Sequence, residues 1–85
     1  MQQRENTVLF RTERCAGCYH LTYTLFENEN GYGITVSEGG STVKVEDLSR
    51  NVEDAKRVLL LLADGTVFPQ NVYEILDDLL GIEVF

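Results

Sequence analysis

Cys15, Cys18 and His20 are the only soft, metal-capable side chains close together in this chain. The pair Cys15-Ala16-Gly17-Cys18 has the spacing of half a zinc site, because a Cys-x-x-Cys turn at a hairpin tip can point both thiolates into one small concavity. A closed tetrahedral site needs more than these three ligands, so zinc here requires a second subunit or an outside ligand. A redox role is the other option. Thioredoxin-type pairs, however, sit at a helix N-terminus that lowers the thiol pKa, and this pair falls between strands. The plain reading is two thiols in a turn. His20 alone lies on the outward face of its strand, and no serine or acid is placed by sequence logic to make it a base.

Glu74, Asp77 and Asp78 form the second candidate, either a site for a hard cation or a contact for arginines of a protein partner. Glu74 and Asp78 are one helical turn apart and repel by only a few tenths of a kcal/mol, so a solvated helix face explains them equally well. Tyr19, Tyr23 and Tyr32 alternate as core or rim residues should. Without basic residues around them they do not read as a stacking platform for bases.

The elements that must hold these residues follow from periodicity. Thr7 to Thr12 is short and rich in strand formers, with Val8, Phe10 and Thr12 expected on one face. Cys15 to Cys18 reads as the connection that makes a hairpin. Tyr19, Leu21, Tyr23 and Leu25 then alternate with His20, Thr22 and Thr24, which puts one face on the core; Phe26 breaks the pattern. Asn30-Gly31 suits the positive φ angles of the next hairpin turn. Tyr32 to Ser37 is a third strand, in which Gly33 marks a bulge or a close backbone approach. After Glu38-Gly39-Gly40-Ser41, Thr42 to Glu46 supplies a short last strand with Val43 and Val45 inward.

Near Asp47 the period changes from two to 3.6. Ser49 and Asn51 are both candidate caps for a helix that runs to Gly65, and Glu53 and Asp54 favour its dipole. Val52, Ala55, Val58, Leu59 and Leu62 fill a core stripe by themselves, and Leu60 and Leu61 flank it, so this helix is expected to be covered on two sides. Pro69 fits the start of a second helix, with Val72, Ile75, Leu76, Leu79 and Leu80 inward and Gly81 closing it. The tail from Ile82 to Phe85 is expected to extend along the sheet or to pack as a plug. The fold class is therefore α+β: an antiparallel meander of three or four strands, followed by two helices packed on one face.

The 85 residues make one domain, with residues 1–5 expected to fray. Apolar residues are 44% of the chain and charged residues 25%, which places it among globular sequences rather than disordered ones. The net charge of -7 argues against direct binding to nucleic acid or to anionic lipid. Its distribution is uneven: residues 1–26 carry a net +1, residues 27–54 a net -5 and residues 55–85 a net -3. No run approaches bilayer-spanning length and the N-terminus lacks a signal-type apolar stretch, so a cytoplasmic protein with reduced thiols is expected. The absence of a catalytic set points to a non-enzymatic interaction or regulatory domain with no cofactor, whose acidic surface meets a basic protein partner or mimics nucleic acid. The alternative is a zinc or redox protein built on Cys15 and Cys18. Apolar flanks on the first helix, together with Phe68 and Phe85, suggest a homodimer through the helices or through a remaining sheet edge.

Tyr32-Gly33-Ile34, Val67-Phe68-Pro69 and the run from Tyr73 to Gly81 give the chain a likeness over roughly residues 18 to 81. There it resembles a small uncharacterised family from anaerobic Gram-positive bacteria. Members typically read Tyr-Gly-Ile in the sheet and Val-Thr-Pro before a closing helix that ends in an acidic pair and glycine. Phe68 stands where the family usually has threonine, which removes the usual hydroxyl cap. The resemblance implies no activity, substrate or cofactor.

Overall fold

The computed structural model describes residues 7–29 and 31–80, with the side chains of Leu79 and Leu80 excepted. Four strands, β1 (Thr7–Ala16), β2 (Tyr19–Asn28), β3 (Gly31–Glu38) and β4 (Ser41–Ser49), form one antiparallel sheet in the order β1-β2-β3-β4. Helix α1 (Val52–Asp64) follows, then a single 3-10 turn (Pro69–Asn71) that leads into α2 (Val72–Leu80). The expected meander and the expected pair of helices are both present. The first strand, residues 7–14 included, pairs along its length with β2. Gly81, the tail beyond it, the fraying of residues 1–5 and Asn30 lie outside the described residues.

The first hairpin corrects the reading of the cysteines. Ala16 pairs with Tyr19 and Cys15 with His20, so the loop is only Gly17 and Cys18. Gly17 has φ 66 in its first position, the place glycine takes in a type II′ turn whose twist matches the flanking strands. Cys15 is thus a strand residue and only Cys18 is in the turn. The second hairpin is displaced by one residue from expectation. Asn28 pairs with Gly31, so Gly31 opens β3 instead of closing the turn.

Cross-strand pairing sorts the side chains into two faces. Phe10, Leu25, Ile34 and Val45 lie in one row, and Thr12, Tyr23, Val36 and Val43 in the next. This face meets α1, whose Ala55, Val58, Leu59, Leu62 and Ala63 are buried, and α2, which contributes Val72 and Leu76. Val8 does not share the face of Phe10 and Thr12, as alternation had suggested. Val8 pairs with Phe26 but Phe10 with Leu25, so Leu9 is an extra residue and the bulge turns Val8 to the other side, where it is 60% exposed. Phe26 is buried on that second face, over Gly33. Opposite Gly33, β4 carries the bulge: Ile34 pairs with Val45 but Tyr32 with Ser49, and Asp47 adopts φ 56.

Both candidate caps serve α1. Asn51 Oδ1 accepts from the backbone N–H of Glu53 (2.8 Å) and Asp54 (3.2 Å), while Ser49 Oγ accepts from the Asn51 N–H at 3.0 Å. At the other end the Thr66 N–H donates to Ala63 and the Val67 N–H to Leu62, the paired bonds of a Schellman ending. The left-handed residue is Thr66 (φ 52), not Gly65 (φ -87). The expected cover on two sides is met on one: Leu61 stays 46% exposed and Leu60 is half-buried. Pro69 begins the 3-10 turn rather than α2 itself, and it is buried there. Phe68 before it packs edge-on against Tyr19, with ring centroids 5.3 Å apart. Among the described residues no helix is long and apolar enough to cross a membrane.

Candidate functional site

The end of the first hairpin places Cys15 and His20 directly opposite each other, both exposed and both on the face of the sheet that the helices leave open. His20 Nε2 lies 2.9 Å from Glu13 Oε1, and the other carboxylate oxygen of Glu13 is 3.7 Å from Arg11 Nη2. Glu13 was absent from the sequence-based candidates. The missing signal is the register: once Gly17-Cys18 is taken as a two-residue loop, Glu13 pairs with Thr22 and becomes the diagonal same-face neighbour of His20.

A thiol, an imidazole and a carboxylate on one open strip can orient a ring, pass a proton or offer donors to a soft ion. The arrangement is wet. The His20 and Glu13 side chains are 59% and 46% exposed, so water competes for every contact and the pair adds little stability. Among the described residues, no group of three or more histidine, cysteine, aspartate and glutamate side chains is placed to hold a metal ion. Cys15 faces His20 across the strands, and Cys18 lies in the two-residue turn beyond them. Both thiols are free.

Glu74, Asp77 and Asp78 are all exposed, on the side of α2 away from Val72 and Leu76. Tyr73 beside them is 59% exposed, although its hydroxyl still donates to the Lys44 carbonyl at 3.4 Å. The basic side chains are engaged elsewhere: Arg14 with Asp64 at 3.6 Å, Arg57 with Asp54 at 3.7 Å, Lys44 with Glu46 at 3.5 Å, and the Lys56 ammonium 4.8 Å above the Phe10 ring. Arg50 lines an open depression of about 350 Å³ at the far end of the sheet, with Glu27, Glu29 and Tyr32 on its walls. Among the described residues, no cation forms a salt bridge with the three carboxylates of α2.

Neither the curated proteins nor the solved structures contain a match to this chain. A family model does match, over residues 2–81, which takes in both candidate regions and the strands and helices of the described residues. The chain belongs to DUF6514, a family of unknown function.

Proposed function

We propose that this chain is a small non-enzymatic interaction domain of the cytoplasm, and that the outer face of α2 meets a basic protein partner. The observation that carries the reading is Tyr73, 59% exposed and set among the exposed carboxylates of Glu74, Asp77 and Asp78. An aromatic anchor with like charges around it is the composition that concentrates binding energy when a complementary surface excludes water. The charges steer and orient a basic partner, and the ring supplies the apolar contact. In a pull-down from native lysate, the Glu74→Lys, Asp77→Lys, Asp78→Lys variant should lose about tenfold or more in recovery of the bound partner. Tyr73→Ala should weaken binding without changing its salt dependence. Equal recovery by the triple variant would remove this reading, and competition by duplex DNA would identify a partner that ordinarily binds nucleic acid.

A second reading, a zinc or thiol-redox role, is favoured by the direct pairing of Cys15 with His20. Its measurement is metal content after purification without chelator, beside a Cys15→Ser, Cys18→Ser variant. Near one zinc per two chains, lost in the variant, would establish it. Metal-free protein whose variant melts at the same temperature would leave the interaction domain alone.

A further inference from the structure

The two outer strands of the sheet end differently. The outer side of β4 is closed: the Tyr73 hydroxyl takes the Lys44 carbonyl, the 3-10 turn packs against the strand, and the bulge at Asp47 twists it. These are devices by which proteins protect a sheet edge. Among the described residues, strand β1 pairs on one side only, with β2. Past the bulge at Leu9 it runs regularly from Phe10 to Ala16.

Which backbone groups face outward follows from the hairpin. With a two-residue loop, Ala16 and Tyr19 are the hydrogen-bonded pair that closes it, so Arg14 and Thr12 also turn their N–H and C=O toward β2. Cys15, Glu13 and Arg11 present theirs to the outside. The Arg14 guanidinium donates to the Glu13 carbonyl at 2.9 Å, as it can only if that carbonyl points off the sheet. One lone pair of the carbonyl remains for an incoming N–H.

We propose that a second copy of this chain adds its β1 to this edge, antiparallel, about a two-fold axis through Thr12. In that register Arg11 stands opposite the partner's Glu13 and Glu13 opposite the partner's Arg11, at positions whose backbone groups face outward on both chains. Thr12 meets the partner's Thr12 on the axis, and Arg14 reaches over the partner's Phe10. Unlike charges and threonine pairs directly opposite each other stabilise antiparallel strands, whereas like charges destabilise them. The charges also exclude the neighbouring registers. An axis at residue 11 would oppose arginine to arginine, at 13 glutamate to glutamate, and at 14 arginine to arginine. The exposed apolar Leu9 lies at the end of the ladder, beside the partner's Cys15.

This dimer carries the two hairpin tips to opposite ends of a continuous sheet. Cys15 sits opposite position 9 of the partner, so the two Cys15 residues are about 20 Å apart at strand rise. The dimer therefore cannot gather four thiolates, and its interface is separate from the face of α2 proposed to meet a basic partner.

Sedimentation of the full chain from micromolar to millimolar concentration should show a monomer–dimer equilibrium. Arg11→Glu and Glu13→Arg, each placing like charges at two symmetric positions, should each raise the dimer dissociation constant about tenfold. The combined Arg11→Glu, Glu13→Arg variant should return it to within about threefold of the parent. In a Cys15→Ser, Cys18→Ser background, Thr12→Cys should form an interchain disulfide in air, since facing residues of this kind have Cα atoms about 4.5 Å apart; Thr22→Cys in the same background should not. A monomer throughout, a dimer indifferent to the single reversals, or a double reversal that fails to restore association would overturn the proposal. So would a metal held between two chains by their cysteines.

Discussion

Alanine at position 33 is expected to remove about 3 kcal/mol of stability, a large share of the order of 5–10 kcal/mol that a domain of this length holds. A Cβ there would lie 2.5 Å from Cζ of Phe26 and well inside contact distance of the Val45 carbonyl oxygen. The phenyl ring has some freedom, but the carbonyl belongs to the β4 backbone and can move only with the strand. The buried Phe26 ring fills the space that a side chain at 33 would otherwise take, so the open face of the sheet carries a small second core held by one missing methyl group. Gly40→Ala is the matched control, because nothing lies within 4 Å of a Cβ at that position. Urea unfolding should place the Gly33→Ala midpoint about 2–3 M lower, with Gly40→Ala unchanged within about 0.5 kcal/mol. Equal midpoints for the two variants would show that β4 yields freely and that the contact is unimportant.

Gly33 also shows how far the sequence can be read. A glycine inside an otherwise regular strand signals a bulge or a close approach, and both occur, although the bulge is in the facing strand. The alternation of Leu21, Tyr23 and Leu25 located the core face of β2, because burial on one face leaves a period of two that no other element mimics. The same reasoning failed for Val8, where the extra residue Leu9 reverses the alternation without any glycine or proline to announce it. Asn51 and Ser49 could be named as caps because their chemistry is local. The contact of Glu13 with His20 could not, because it depends on whether the loop holds two residues or four, and the Cys-Ala-Gly-Cys run permits both.

The self-pairing of β1 depends on that register as well. Arg11 and Glu13 are ordinary surface charges until the hairpin fixes which of their backbone groups face outward. Only then does the +1 balance of residues 1–26 matter, since this part of an otherwise acidic chain is the one that can approach a copy of itself without strong repulsion. The acids that dominate the rest of the chain include those on α2, at the other side of the sheet order, beside β4.

Tyr23→Phe is expected to cost about 2 kcal/mol, for reasons that lie in one hydrogen bond. The Tyr23 ring is fully buried at the centre of the sheet, and its hydroxyl donates to the Val67 carbonyl at 2.9 Å. The Val67 N–H is already committed to Leu62 at the end of α1. Val67 is thus fastened on one side to the helix and on the other to the sheet, and phenylalanine would free the second side while leaving a partly buried carbonyl without its donor. Burial and charge push in opposite directions here: desolvation raises the Tyr23 phenol above its ordinary value of 10.0, with Arg14 nearby partly opposing the shift. A raised folded-state value means that the contribution is complete below the unfolded pKa and is lost as pH climbs through the folded one, because the unfolded chain releases its proton first. The parent should therefore lose stability above about pH 10 more steeply than the variant, so that the gap between them narrows from its full size at about pH 8. Amide exchange should speed up at Thr66 and Val67 before it does at Leu59. Identical urea midpoints at neutral pH would show that the hydroxyl does not clip the connection to the sheet, and a gap that stays constant through alkaline pH would show that it does not resist ionisation in the fold.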